Sequence, residues 1–479
     1  MKKLLILVNL FLLSYSSFGQ HEKYYPDPDV NIQNRLEEWR DLKFGLLMHW
    51  GPYSQWGVVE SWSISPEDLS WAVGGQKKGV ADNYFGYVKA YENLQTTFNP
   101  TKFNPEKWAA AAKYAGMKYM VFTTKHHDGF SMFDTKYTDY KITDKKTPFS
   151  SNPRSNITKE VFNAFRNLNF WIGAYFSKPD WHSDYYWWKK FPPADRNANY
   201  SITKHPEQWK KFVDFTHNQI KELVTDYGQV DILWFDGGWV RKTTDEEVKK
   251  YLADISEGSR WARNPQNQDI NMPGLVKEVR AKQPNILVVD RAVEGPEQNY
   301  LTPEQQIPAE PIADPWETCM TMGNSWSYAP NDVYKPAKEI IEKLVDIVSK
   351  GGNYLLNIGP DAEGEFDNTA YERLREIGDW MRVNGKAIYG TRTASKWKDG
   401  DKVRYTQSKD GKTKYVFLFE YPKSNLMLEN LEISPKTKIS MLGIGKKINW
   451  KKTDKGVSIS VPQNMQSASK YAWVLEVKD

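Results

Sequence analysis

Val230-Asp231-Ile232-Leu233-Trp234-Phe235-Asp236-Gly237-Gly238-Trp239 is an apolar run bounded by Gly228 on one side and by Gly237-Gly238 on the other. Its length, its β-branched content and its lack of a polar face fit a strand buried on both sides, as in a parallel sheet. Asp236 closes the run beside Trp234 and Phe235, ahead of two glycines that let the chain turn sharply and let a ligand approach the backbone. In a β/α barrel a carboxylate at the C-terminal tip of a strand points into the active-site mouth. The competing reading is an Asx turn or helix cap, since Asp before Gly is a common turn pair.

Other strand ends carry chemistry too. Lys43 to Trp50 reads as a strand that runs into Gly51-Pro52, so His49 stands where strand gives way to turn. Pro105 to Ala115 has helix-period apolar spacing and leads through Gly116 into a strand, Lys118 to Thr124, which exits in Lys125-His126-His127-Asp128. Adjacent histidines in a chain with only 7 of them point to function. A further strand, Phe170 to Phe176, offers Tyr175 at its tip, and Asn285 to Arg291 ends in Arg291. Helices at 159–166, 205–227, 245–255, 272–282, 335–348 and 369–384, with a strand at 353–358, complete about seven alternations. Alternation implies a parallel sheet, and polar groups collected at one rim imply a closed barrel.

Past Gly390 the pattern changes. Short runs at 403–407, 414–421, 425–433, 438–442, 456–461 and 471–477 read as strands with no helix between them, and Asp410-Gly411 marks a hairpin. The expectation is therefore an α/β, (β/α)8-like (TIM) barrel over 20–390 followed by a small all-β sandwich over 391–479, with a signal peptide over 1–19. That leader shows Lys2-Lys3, an apolar stretch Leu4 to Leu13 and a small-residue exit Ser16-Ser17-Phe18-Gly19. It is too short to span a bilayer. Cys319, the sole cysteine, leaves no intrachain disulfide and no lipid-attachment site after the leader. Export to the periplasm or medium, without a membrane anchor, follows as an expectation.

At 479 residues, with 40% hydrophobic and 26% charged content, the composition is that of a globular protein with one large domain and an accessory one. A formal charge of +5, roughly +3 without the leader, gives no case for nucleic-acid binding. Aromatics reach 14%, with 20 Trp, and indole faces suit the C–H faces of sugar rings. The aromatic loop 180–188 reads either as a lid or as packing beneath a pocket. A metal site is a rival for the histidines: residues two apart on a strand share a face, so His126 and Asp128 could ligate while His127 points away. No His-x-His pair and no further His cluster supplies a third ligand, so no metal and no cofactor is expected.

Phe44 to Tyr53 (FGLLMHWGPY), Tyr119 to Phe130 (YMVFTTKHHDGF), Asp231 to Gly238 (DILWFDGG), Trp316 to Tyr328 (WETCMTMGNSWSY) and Asn353 to Pro360 (NYLLNIGP) together resemble the α-L-fucosidases of glycoside hydrolase family 29. The resemblance implies a retaining exo-glycosidase with a deep pocket for one terminal L-fucose. It implies Asp236 as nucleophile, Trp234 as the aromatic beside it, and His49, His126 and His127 as holders of sugar hydroxyls. Tyr175 and Arg291 match further pocket positions, and Trp326 an aromatic packed on the sugar. Glu60 matches a hydroxyl-binding acid and Trp62 its neighbour, although Ser61 intervenes where the family often has Glu followed directly by Trp. The acid/base matches Glu304, with Glu294 and Glu297 as alternatives in the same proline-rich stretch.

The residue types also make chemical sense by themselves. Retention needs two carboxyl groups roughly 5 Å apart, one to attack the anomeric carbon and one to protonate the leaving oxygen and then activate water. The expected partner is a fucosylated oligo- or polysaccharide. An L-galactosylated one is the near alternative, because a hydrophobic wall near C6 rejects an added hydroxyl only modestly. A non-catalytic sugar-binding protein with the same pocket is the alternative from another class.

Overall fold

The computed structural model describes residues 23–66, 72, 75–254 and 265–478; the leader expected over 1–19 lies outside them. The N-terminal part runs α1 (Val30–Leu42), β1 (Phe44–Met48), α2 (Tyr84–Glu92), α3 (Pro105–Tyr114), β2 (Tyr119–Lys125), α4 (Ile157–Arg166), β3 (Trp171–Ser177), α5 (Pro206–Thr225) and β4 (Ile232–Asp236). It continues through α6 (Asp245–Asp254), α7 (Met272–Lys282), β5 (Leu287–Asp290), β6 (Glu317–Thr321), α8 (Ala337–Ser349), β7 (Asn353–Asn357) and α9 (Asn368–Asn384). Seven parallel strands form a curled sheet in the order β5-β4-β3-β2-β1-β7-β6.

The ends of this sheet, β5 and β6, are joined by an irregular segment instead of an eighth strand. Gln298 bridges to Val289 of β5, while Leu301 and Glu304 bridge to Trp316 and to Cys319 of β6. The wall is therefore barrel-like, with its eighth stave built from a stretch rich in prolines that cannot donate to a ladder. Glu304 rides on that stave.

The period of two along each strand sorts the side chains into two cores. Ile232 and Trp234 of β4 point inward, with Leu47, Tyr119, Val121, Tyr175, Leu287, Val289 and Leu355, into one buried cluster. Leu233 and Phe235 point outward, with Met120, Phe122, Phe176 and Val288, against the helices. Both sets are buried, which is why the strand sequences lack a polar face. At the top of β4, Gly237 has φ +87°, and a Cβ there would sit 2.3 Å from Pro179 Cδ. Only glycine fits the turn that follows Asp236. The buried pair Lys178–Asp290 ties the ends of β3 and β5 together across β4, and the Lys178 N–H donates to Asp236 O at 3.0 Å. Losing one partner of such a pair costs about 3–5 kcal/mol, because the other charge stays buried.

The last barrel helix ends at Asn384, and eight antiparallel strands follow: β8 (Thr391–Asp399), β9 (Val403–Ser408), β10 (Thr413–Leu418), β11 (Leu426–Leu428), β12 (Lys438–Met441), β13 (Lys447–Thr453), β14 (Gly456–Ser460) and β15 (Trp473–Lys478). They hydrogen-bond in the order β11-β14-β13-β12-β15-β10-β9-β8, and residues from both ends of that order share one apolar cluster. The strand expected over 425–433 shrinks to Leu426–Leu428. Strands β6, β8 and β13 were not legible as strands: β6 is polar, and β8 and β13 are largely surface-exposed and rich in Lys. Trp380 Nε1 donates to Ala472 O at 2.9 Å and Arg404 Nε to Asp346 Oδ1 at 2.5 Å, anchoring this domain to the barrel. Among the described residues, no helix is long and apolar enough to cross a membrane.

Candidate active site

The C-terminal rim of the strands encloses a cavity of about 690 Å³. Its lining includes His49, Glu60, Trp62, His126, His127, Tyr175, Trp234, Asp236, Arg291, Glu304 and Trp326. Glu294 and Glu297 are not among the lining residues, and Glu294 Oε1 accepts from the Lys23 backbone N–H at 3.1 Å on the exposed surface. Glu304 is thus the carboxyl that the proline-rich segment supplies to the cavity, beside Asp236 and Glu60.

Asp236 is the last residue of β4, and its carboxylate is held from three sides. Arg291 Nη1 donates to Oδ1 at 2.8 Å, the Gly237 N–H donates to Oδ1 at 2.7 Å, and Tyr175 Oη donates to Oδ2 at 2.7 Å. His127 Nε2 stands 3.9 Å from Oδ2. Burial pushes the carboxyl up, but Arg291, His127, Tyr175 and the Gly237 amide outweigh it and hold Asp236 well below the usual carboxylate range. Arg291 follows β5 directly, and its second nitrogen, Nη2, donates to Glu304 Oε2. One guanidinium therefore bridges both carboxyls. Tyr175 and Trp234 are paired neighbours on β3 and β4, and their rings stack at 5.4 Å.

The three imidazoles are buried neutral. Burial lowers His49 to about 4 and His127 to about 3, and it lowers His126 as well. His49 Nδ1 donates to Asn357 Oδ1 at 2.8 Å, which leaves Nε2 as an acceptor. His126 Nδ1 pairs with Ser61 Oγ, and His127 Nδ1 with Ser177 Oγ at 2.5 Å. Ser61, the residue that separates Glu60 from Trp62, thus orients a histidine. Glu60 accepts the Ser327 N–H at 2.6 Å, and burial first, with the nearby Glu304 charge adding to it, lifts Glu60 to about 7. Trp326 packs against His49, ring centroids 5.2 Å apart.

Two expectations need correction. The strand-parity argument placed His126 and Asp128 on one face with His127 turned away; instead both histidines line the cavity, and Asp128 turns outward to accept from Tyr91 Oη at 2.7 Å. Strand β2 ends at Lys125, so parity stops applying there. Nitrogen and oxygen atoms of His126, His127 and Asp236 come within 4.8 Å of one another, a spacing that admits a metal ion. Arg291 Nη1 holds Asp236 through its Oδ1, while His127 Nε2 faces Oδ2. The aromatic loop is wall packing: Trp181 stacks on Trp187 at 5.1 Å and backs onto His127 at 5.2 Å and Trp62 at 5.3 Å.

Sequence reasoning missed Trp239, Arg196 and Cys319 as lining residues. Trp239 stood in the strand-tip stretch and its type was a signal; Arg196, in an irregular loop, gave none.

Paired carboxyls in a sugar-sized cavity walled by imidazoles and indoles define a glycoside hydrolase. The chain belongs to the α-L-fucosidase family, glycoside hydrolase family 29: residues 11–386 match the family described as Alpha-L-fucosidase and residues 398–478 its Alpha-L-fucosidase C-terminal domain. It is 30% identical over 505 residues to the tissue alpha-L-fucosidase of Homo sapiens, covering 99% of this chain and 96% of that one. Alpha-L-fucosidase isoenzyme 1 from Paenibacillus thiaminolyticus superposes with a TM-score of 0.73 at 29% identity, covering 94% of this chain and 99% of that one. A fucosidase from Bacteroides thetaiotaomicron, solved as a trapped covalent intermediate with 2-fluoro-fucosyl fluoride, superposes at 0.71 with 25% identity, covering 95% and 98% of the two chains. The activity is that of an α-L-fucosidase.

The pH dependence follows from the Arg291 contact. In the nucleophile role proposed below Asp236 must be ionised, and Arg291 is the main force holding it ionised against burial. In Arg291→Ala the acid limb of the kcat/KM profile on 4-nitrophenyl α-L-fucoside moves to higher pH; an unmoved limb contradicts this assignment.

Proposed function

We propose that residues 20–390 form the catalytic unit and hydrolyse terminal α-L-fucose with net retention, with Asp236 as nucleophile and Glu304 as acid/base. The observation that carries this reading is the single Arg291 guanidinium shared by the two carboxyls. In the first step an Asp236 oxygen bonds to the anomeric carbon as the glycosidic C–O bond breaks, and Glu304 gives its proton to the departing oxygen. In the second step Glu304 takes a proton from water, the hydroxyl bonds to the anomeric carbon, and the bond to Asp236 breaks. Arg291 supplies one positive charge to two carboxyls, so a proton on Glu304 leaves the triad neutral before the first step.

The neutral histidines suit sugar hydroxyls, since each ring offers one nitrogen to the protein and the other to the ligand. In this reading His49, His126, His127 and Glu60 hold hydroxyls, Trp62 and Trp326 cover the ring, and Trp234 with Tyr175 forms the floor. The substrate is a fucosylated oligo- or polysaccharide. The charged, apolar and small-residue zones of the leader support export to the periplasm or medium, with the 391–479 unit as a non-catalytic partner of the barrel. N-terminal sequencing of secreted protein that begins at Met1 would refute the cleaved leader.

Asp236→Ala abolishes turnover of 4-nitrophenyl α-L-fucoside. Glu304→Ala slows cleavage of natural linkages by about 10²-fold or more and of activated aryl fucosides far less, and added azide restores the latter, as loss of a general acid/base requires. Activity retained in the first variant, or a uniform loss without azide rescue in the second, contradicts the roles given.

A further inference from the structure

The C-terminal domain carries a charged face that the chemistry above does not use. Between Lys436 and Lys455 the chain places seven lysines against one acid, Asp454, which outweighs the formal charge of +5 on the whole chain. All seven lysines are exposed, and none lines the catalytic cavity. On β13, Lys447, Asn449 and Lys451 alternate with Ile448 and Trp450, which pack on the domain's apolar core. Lys438 and Ser440 of β12 flank the core residue Ile439 in the same way, and Ser440 is the register partner of Lys447. Lysines often guard sheet edges against pairing with another chain, but these strands are not edges: β13 lies between β14 and β12, and β12 between β13 and β15. Nor is the charge balanced within the protein. Lys438 stands directly across from Lys478, a like-charged pairing that costs stability, and Glu476 beside them is taken by Lys478 at 2.9 Å and by Lys386. Among the described residues, none of the seven lysines joins an ion pair.

We propose that this face docks an anionic polysaccharide, one that carries sulfate esters or uronic carboxylates, and so holds the enzyme on an acidic polymer whose fucose the barrel removes. Residues two apart on a strand are roughly 7 Å apart and neighbouring strands roughly 5 Å, so lysines on β12 and β13 reach one chain together. Ammonium groups on flexible stems meet anions spaced along a polymer without demanding a fixed geometry. Ser440, Asn449 and its register partner Ser460 stand among them and offer hydrogen bonds to sugar hydroxyls. Nucleic acid and lipid fit less well. The one aromatic of β13, Trp450, packs on the core and donates Nε1–H to Thr437 O at 3.1 Å, which leaves no ring to stack on bases. No apolar side chain stands among Lys438, Ser440, Lys447, Asn449 and Lys451 to enter a bilayer. The proposal rests on the fucosidase reading only for the fucose the polymer carries; the docking itself is independent of it.

Chondroitin sulfate and polygalacturonate carry no fucose, so their binding reports this face and leaves the catalytic cavity out. In affinity electrophoresis at low salt the intact enzyme should be retained by at least one of them and not by neutral dextran, and added salt should release it. The triple variant Lys447→Gln, Lys451→Gln, Lys452→Gln should bind about tenfold or more weakly, since each lysine removed takes a charge contact with it. A triple variant with the same loss of charge at exposed barrel lysines, Lys159→Gln, Lys211→Gln, Lys277→Gln, should bind like the wild type. Turnover of 4-nitrophenyl α-L-fucoside should be equal in all three and unaffected by chondroitin sulfate. No retention of the wild type by either acidic polymer overturns the proposal, as does equal binding by the first variant or an equal loss in the second. Competition between chondroitin sulfate and the aryl fucoside would put the anion in the catalytic cavity, and tighter binding to duplex DNA or to phosphatidylglycerol vesicles would put another partner on the face; either result overturns it too. Should the first variant fail to fold, Lys451→Gln alone takes its place, with a smaller loss expected and no loss contradicting the assignment. A wild type that leaves the aryl fucoside uncleaved would instead overturn the fucosidase reading.

Discussion

Arg291 donates one arm of its guanidinium to Asp236 and the other to Glu304, and the architecture around it exists to hold that fork. A planar, permanently charged group with donors on both arms can face the two carboxyls at once and balance their charge, which a single ammonium would do less directionally. Three chain segments meet there: the tip of β4, the tip of β5 and the irregular stave between β5 and β6. The buried Lys178–Asp290 pair stands just behind the same strand ends, and the Gly237 turn turns the chain away above them. Shifting any one of these supports moves the separation of the carboxyls, on which the choice between retention and inversion depends.

The missing eighth strand has a functional consequence. A regular strand would place its side chains in strict alternation, and its inward residues would be fixed by register. The segment 298–304 makes only isolated bridges to its neighbours, so Glu304 is placed by its single bridge to Cys319 and by Arg291. The proposed nucleophile, Asp236, thus stands on the regular part of the wall and the proposed acid/base, Glu304, on its irregular part. A group that gives up a proton and later takes one from water needs that latitude more than the attacking carboxylate does.

Much of the site was legible because buried strands are written as apolar runs, and the polar residue that ends each run marks the rim. His49, Asp236 and Arg291 are found that way, and the paired histidines follow from β2. Three features resisted the same logic. The parity argument failed at His127, because the strand stops one residue before His126 and the next turn sends Asp128 outward. Strand β6 carries Glu317, Thr318 and Thr321, whose hydrogen bonds are made within the protein: Tyr119 Oη and Trp234 Nε1 donate to Glu317 inside the barrel, and Thr318 Oγ1 donates to Gln306 O at 2.8 Å. Such partners are invisible in a sequence, so a polar buried strand looks like loop. Arg196 and the supporting serines, Ser61 and Ser177, sit in turns or at a strand end where no periodicity places a side chain. Glu304 could be separated from Glu294 and Glu297 only by knowing which of them faces the cavity.

The central claim is that Asp236 bonds to the sugar. Mass spectrometry of a peptic digest, after inactivation of the intact enzyme with 2-fluoro-fucosyl fluoride, tests it most directly. The account predicts a single fluorofucosyl adduct on the peptide that contains Asp236. An adduct on Glu304 or any other residue, or no adduct from an enzyme that releases fucose of inverted anomeric configuration, would contradict it.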